Sequence, residues 1–347
     1  LEFFMEHYKL AFIGFGNVGQ ALARLLQSKE YELKEKYNIT FSITAIATGN
    51  HGQAIDPNGI DVVDALRTAK HDGDFSSLSR SPAPANTLSL IRTCKADVLF
   101  ENSPVNYKTG QPAVKHIRTA LECGMHALTA NKGPVVHAYH QLTALADKQR
   151  KKFYFESTVM DGAPIFALFR SALPAANVHT IKGVLNSTTN MILTQMEGGE
   201  SFDDAVAYCQ KIGIAETDPS GDVDGWDAAI KLSALITVLM GIPTKPTQIQ
   251  REGIRDITLD KIATAKAKGM RWKLVCTARR EGMSVHARVA PEMVGPESPL
   301  YTLTGTTSIA QFETNVLGML SIIESDPSPQ TTAYGLLADL LNAISGK

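Results

Sequence analysis

Apolar positions along the chain fall into two regimes. Short apolar runs at 9–13, 39–47, 97–100, 126–129 and 153–155 are bounded by glycine and polar turns, the pattern of buried strands. Between them, apolar residues recur at helical spacing from Ala21 to Leu26 and over 62–70, 86–93, 111–123 and 136–150. Strands alternating with helices predict an α/β fold, a doubly wound parallel sheet of Rossmann type. A Ser/Pro/Gly-rich stretch, 73–84, interrupts the alternation and reads as an exposed, mobile loop.

Further on the pattern becomes mixed. A strand is expected over 178–185, followed by the polar knot Asn186-Ser187-Thr188-Thr189-Asn190 and a short helix at 191–197. Ser201 with Asp204 reads as the cap of a helix running to Lys211. Residues 226–240 are apolar on nearly every side, as in a buried helix. An amphipathic helix at 251–268, strands within 271–290 and at 308–314 and 317–323, and a last helix at 331–343 complete the expectation.

Bulk properties narrow the setting. With 34 basic and 35 acidic residues and no basic run, the chain carries no electrostatic footprint for nucleic acid or membrane surfaces. Cys94, Cys123, Cys209 and Cys276 lie far apart and form no metal-ligand spacing, which favours a reduced, cytoplasmic setting. No apolar run reaches the ~18 residues of a membrane span. Leu1 to Phe4 lack a signal-peptide pattern and read as an extension ahead of a natural start at Met5.

The first strand runs into Gly14-Phe15-Gly16-Asn17-Val18-Gly19 and then a helix. In this strand–turn–helix context the three glycines form a dinucleotide fingerprint: a tight turn, room for a pyrophosphate, and close helix–strand packing. Gly14, Gly16, Asn17, Val18 and Gly19 are therefore candidate cofactor contacts. The second strand ends in Thr48-Gly49-Asn50-His51, without the acid that would hold a ribose 2′-hydroxyl or the arginine that would hold a 2′-phosphate. The residues leave NAD and NADP both open, with a lean to NADP because no carboxylate stands there to repel a phosphate. Asn102, Ser103 and Lys132 follow the next two strands and are expected at the cofactor crevice, where open α/β sheets bind ligands. The turn from Glu156 through Val159 to Asp161 offers oxygen donors for a hard cation, or for water.

Glu216, Asp218, Asp222 and Asp224 then precede the apolar helix, in which Asp227 and Lys231 are the only charged residues. Spaced i and i+4, these two share one helix face. Two readings stand: a buried structural ion pair, since burying charge requires a partner, or an acid and an amine lining a pocket.

Together these motifs resemble the homoserine dehydrogenase family. The resemblance rests on residues 14–19, 129–134, 159–165, 186–193 and 216–231, with Leu303-Thr304-Gly305-Thr306 and Phe312-Glu313-Thr314 later in the chain. It implies interconversion of aspartate β-semialdehyde and homoserine with NAD or NADP, amino-acid biosynthesis, and a homodimer. It also implies a nucleotide-binding domain at 5–150, a mixed α/β substrate and dimerisation domain at 151–310, and a segment at 311–347 returning to the first domain, with no ACT regulatory domain after it. By resemblance Lys231 and Lys132 are catalytic lysines, Asp227 sits beside the substrate oxygen, and Glu216 and Asp222 bind the substrate's polar end. Thr188 contacts substrate, with Ser187 beside it, and Glu156, Val159 and Asp161 hold a monovalent cation such as sodium.

Two departures stand out: Ser187 replaces a usual glycine, and Glu324-Ser325-Asp326-Pro327-Ser328-Pro329 replaces a glycine-rich loop, with prolines that cannot offer backbone amides. They motivate two alternatives, a related dehydrogenase acting on another small hydroxy acid or aldehyde, and a non-catalytic cofactor sensor.

Overall fold

A computed structural model describes residues 5–82 and 84–345. The proposed extension before Met5 lies outside them, as does Ala83 of the serine-rich stretch. The chain forms two compact units, one comprising residues up to Pro164 together with those from Ser328 onward, the other Ile165–Pro327.

The first unit holds β1 (Glu6–Ile13), α1 (Asn17–Ser28), α2 (Glu30–Tyr37), β2 (Ile39–Ala47), β3 (Gln53–Ile55), α3 (Val62–Lys70), α4 (Thr87–Thr93) and β4 (Val98–Glu101). It continues with α5 (Ala113–Glu122), β5 (His126–Thr129), α6 (Lys132–Lys148) and β6 (Phe153–Tyr154). The six strands form one sheet in the order β3-β2-β1-β4-β5-β6. All neighbours are parallel except β2 and β3. Alternate residues of β1 face opposite sides. Leu10 and Phe12 join a core with Leu22 and Leu26 of α1, whereas Ala11 and Ile13 join one with Leu90, Ile91 and Ala120. That is the expected doubly wound arrangement.

The second unit contains β7 (Val178–Val184), α7 (Ser187–Glu197), α8 (Phe202–Lys211), α9 (Ser220–Val223), α10 (Trp226–Leu239), β8 (Gln250–Arg251) and α11 (Leu259–Ala267). β9 (Arg271–Glu281), β10 (Ser284–Val294), β11 (Ser308–Thr314) and β12 (Gly318–Glu324) follow. Its mixed sheet runs β12-β11-β7-β9-β10-β8, and α7 and α10 both pack on β9. The chain then returns to the first unit as α12 (Pro329–Ile344), whose Ala333, Leu336, Leu337 and Leu340 enter the core around Phe12.

Several expectations change. The division falls at Pro164 rather than 150, because β6 pairs with β5 in the first sheet. The return begins at Ser328 rather than 311, because β11 and β12 belong to the second sheet. The stretch at 73–84 is not wholly exposed, since Phe75 sits in a 3₁₀ turn, buried against Phe15 at 5.5 Å. Arg251 lies in β8, and α11 starts only at Leu259, capped by Thr258. α7 begins at Ser187, four residues before the expected start, because the Asn186 side chain accepts the Thr189 amide as a helix cap.

Candidate active site

In the first unit the sheet order changes direction between β1 and β4, and the fingerprint lies at the carboxyl end of that switch point. Gly14 has φ +91°, and a side-chain carbon there would stand 2.5 Å from the Asn102 carbonyl. At Gly19 the same carbon would stand 2.6 Å from the Gly14 carbonyl, so α1 reaches the turn only without a side chain. Gly16 caps α1 without any side-chain hydrogen bond, which leaves the helix N-terminus open to an anion. A cavity of about 360 Å³ opens here, lined by Gly14, Gly16, Thr48, His51, Asp72 and Asn102 among others. The Asn102 amide has buried nitrogen and oxygen atoms with no hydrogen-bond partner. An orphaned polar group in the wall of this cavity fits a bound cofactor.

Other candidates in this unit have structural work. Thr48 donates its hydroxyl to the Gly52 carbonyl and accepts the His51 amide, each at 2.9 Å, which shapes the turn after β2. Asn17 and Val18 open α1, with Val18 packed on the core. Ser103 donates to Glu101, a buried carboxylate 3.2 Å from His116 Nδ1. Lys132 is the first residue of α6 rather than part of a loop. Its neighbour Asn131 caps that helix and donates to the Ser103 carbonyl at 2.9 Å, tying the two strand ends together. Asp72, absent from the sequence reading, is the acid among the cavity's lining residues. Nothing in its exposed, unpatterned surroundings marks it.

At the suggested cation turn, Glu156 and Val159 are buried. The Asp161 carboxylate accepts the Ser328 amide at 2.9 Å and the Thr331 hydroxyl at 2.7 Å, and so secures the start of α12. Among the described residues no group of three His, Cys, Asp or Glu is placed to hold a metal.

In the second unit the four acids before α10 separate into different roles. Asp218 accepts the Ser220 amide at 3.0 Å, and this bond holds its carboxyl below the usual aspartate range. Asp224 pairs with Arg255 and takes Arg251 on its carbonyl, while Arg251 stacks on Trp226 at 3.7 Å. Glu216 is exposed, and its backbone carbonyl accepts Gln210. Only Asp222 joins Asp227 and Lys231.

Those three form one cluster. Lys231 Nζ lies 2.9 Å from Asp227 Oδ2 and donates to the Leu185 carbonyl at 2.8 Å. Asn186 Nδ2 donates to Asp222 Oδ1 at 2.6 Å and to Asp227 Oδ2 at 3.0 Å, bridging the two acids. Burial, then the Asp227 charge, pushes Asp222 up to about 6, against the pull of Asn186, Lys231 and Thr188. Thr188, buried, donates to the Ile214 carbonyl at 3.0 Å. The Ser187 hydroxyl instead meets that of Ser308 at 3.2 Å. Asn186 is the member that sequence reasoning left without a role. The arrangement presents an oriented ammonium beside two carboxylates, suited to holding a substrate cation and stabilising negative charge on an oxygen.

Comparison with known proteins identifies the family. Residues 14–156 match the model of the homoserine dehydrogenase NAD-binding domain, and residues 164–341 match that of homoserine dehydrogenase itself. The chain is 32% identical to an NAD(+)-dependent homoserine dehydrogenase of Pseudomonas canavaninivorans, over 97% of this chain and 96% of the relative. It is 33% identical to a homoserine dehydrogenase of Methanocaldococcus jannaschii, over 95% and 96%. Among solved structures, a hyperthermophilic archaeal homoserine dehydrogenase in complex with NADPH superposes with a TM-score of 0.82 at 27% identity, covering 99% of both chains. The fingerprint cavity, the Asp222–Asp227–Lys231 cluster and these matches place the chain in the homoserine dehydrogenase family.

Proposed function

We propose that the protein interconverts homoserine and aspartate β-semialdehyde, an assignment carried by the Asn186-bridged cluster of Asp222, Asp227 and Lys231. A nicotinamide dinucleotide bound in the first unit supplies the hydride acceptor or donor, held by the Gly14–Gly19 turn, Asn102 and Ser103. Asp222 takes the substrate ammonium, flanked by Thr188, and the family resemblance assigns Glu216 to the same polar end of the substrate. Asp227 and the Leu185 carbonyl orient the Lys231 ammonium. That ammonium stabilises charge on the reacting oxygen and exchanges its proton, directly or through water. Lys132 is assigned the second amine by the family resemblance.

Support for finer points differs. NADP is favoured over NAD by the absence of an acid at the end of β2, and Asp72 works against it. A sodium-like cation at Glu156, Val159 and Asp161 would draw on backbone carbonyls of the turn, since the Asp161 carboxylate is engaged with α12. A homodimer is supported by the exposed Met319 and Ile323 on edge strand β12, a surface that invites pairing, and light scattering reads the mass. Steady-state oxidation of homoserine with NAD and NADP in parallel, beside a panel of short hydroxy acids, tests the whole reading. Turnover is expected with homoserine, more efficient with NADP, and turnover confined to another panel member would overturn the assignment.

A further inference from the structure

At the start of strand β9, Arg271 and Lys273 stand two residues apart and so on one face. Each grips α7 and the segment after residue 300 at once. Arg271 Nε meets both carboxylate oxygens of Glu197, at 3.0 and 2.9 Å, and its Nη1 donates to the Tyr301 carbonyl at 3.0 Å. Lys273 Nζ donates to Asn190 Oδ1 at 2.9 Å and to the Leu303 carbonyl at 2.6 Å. Asn190 and Glu197 are seven residues apart, two turns along the same helix face. The Asn190 amide nitrogen donates to the carbonyls of Gly305 and Thr307, at 3.0 and 3.1 Å, so every polar atom of its side chain is used.

Lys273 is fully buried. A lysine sealed from solvent is costly unless its donors are satisfied, so its presence calls for a task. Burial lowers it to about 8. Its hydrogen bonds go to Asn190 and Leu303, not to the cluster residues. The helix it grips meets the cluster, because Asn186 caps α7 and reaches Asp222 and Asp227.

We infer that Lys273 is a positioning residue: by clasping Asn190 to the Leu303 carbonyl it sets α7 at the height from which Asn186 bridges Asp222 and Asp227. The inference rests on the reading of that cluster as the homoserine site.

Lys273→Met in the full chain tests it. Amide hydrogen exchange in the first two turns of α7 is expected to speed up about tenfold relative to α10. The efficiency kcat/KM for homoserine falls about tenfold, mostly through KM. The acid inflection of its pH profile moves up by about one unit as Asp222 loses the Asn186 bond. Adding Asn186→Ala to Lys273→Met then costs far less than Asn186→Ala alone, the non-additivity of coupled sites. A merely structural lysine would lower thermal stability but leave the inflection in place and the two substitutions additive, and that result overturns the inference. So does unchanged exchange in α7. Lys273→Gln, which keeps a neutral donor at the site, serves if Lys273→Met does not fold, with the same shifts expected at smaller size. A wild-type chain inactive on homoserine would instead sink the functional reading, while exchange in α7 would still decide whether the clasp holds the helix.

Discussion

Lys231 and Lys273 lie in the same unit and both bond backbone carbonyls, yet their surroundings differ in two respects. The Lys231 side chain keeps 16% of its surface exposed and has a carboxylate, Asp227, at 2.9 Å. Lys273 is 0% exposed, and its ammonium bonds an amide oxygen and a carbonyl. The carboxylate balances the Lys231 charge, and the exposure leaves a path for substrate and water. Neutral acceptors and complete burial suit Lys273 to holding structure and to nothing that requires access. A buried amine is thus read by what balances its charge and by what can reach it.

The largest test of that contrast is removal of the amine at the cluster. Lys231→Ala is expected to lower kcat by roughly 10²–10⁴-fold, the usual worth of general acid–base assistance. Cofactor binding, followed by nicotinamide fluorescence, should persist. Lys132→Ala should fall in the same range if it is the second amine. Near-normal turnover in both variants would reduce the cluster to a structural ion pair and erase the distinction from Lys273.

The two lysines also differ in how far the sequence discloses them. Asp227 and Lys231 stand out because they are i, i+4 neighbours in an otherwise apolar helix, a local pattern. Lys273 has partners 83 and 30 residues away, and within an alternating stretch it resembles any surface lysine of a strand. Asn186 was hidden for the same reason, since Asp222 is 36 residues distant. The glycine fingerprint and the parallel strands were legible because their signals are contiguous. The division between units was not: the run at 153–155 reads as a strand, but its membership of the first sheet shows only in its pairing with β5. Of the acids before α10, composition marked all four alike, and only tertiary contacts with Asn186 and Arg255 sort them.

A smaller effect concerns pH. Asp222 is raised from the ordinary 3.8 to about 6, chiefly by burial and then by Asp227. Only its ionised form attracts an ammonium. On the acid side kcat/KM for homoserine should therefore fall with unit slope below pH about 6, as expected for a free-enzyme group that must be deprotonated. Asp222→Asn should lie about tenfold or more below wild type at neutral pH and lose that inflection. Linkage gives the opposite sign for stability. A carboxyl whose folded pKa is raised favours folding while protonated, and this contribution disappears as pH rises from about 4 through about 6. Asp222→Asn should thus gain stability over wild type at pH 7 and less at pH 5, as read by urea unfolding. An advantage that is independent of pH would place the perturbed group elsewhere.

The smallest expected effect falls on the residue between the two systems. Asn186 and Ser187 are adjacent at the start of α7 and serve opposite sides. The Asn186 amide reaches the cluster acids, whereas the Ser187 hydroxyl meets Ser308 at 3.2 Å. Ser308 opens β11, just after the segment whose carbonyls Asn190 and Lys273 hold. Ser187 therefore belongs with the Lys273 clasp, although it sits one residue from the cluster and stands where the family resemblance leads one to expect glycine. Its hydroxyl pair is partly exposed, and such a hydrogen bond contributes about 0.5–1.5 kcal/mol to stability. Ser187→Ala should lower stability by no more than that, in urea unfolding, and leave kcat/KM for homoserine within about threefold of wild type. Ser187→Gly should act alike, with a further cost of ~0.5–1 kcal/mol for glycine in a helix. If either substitution changes kcat/KM tenfold, or moves preference from homoserine to another hydroxy acid, the hydroxyl reads the substrate. The boundary between the group that binds and the group that positions would then pass through Ser187 rather than between it and Asn186.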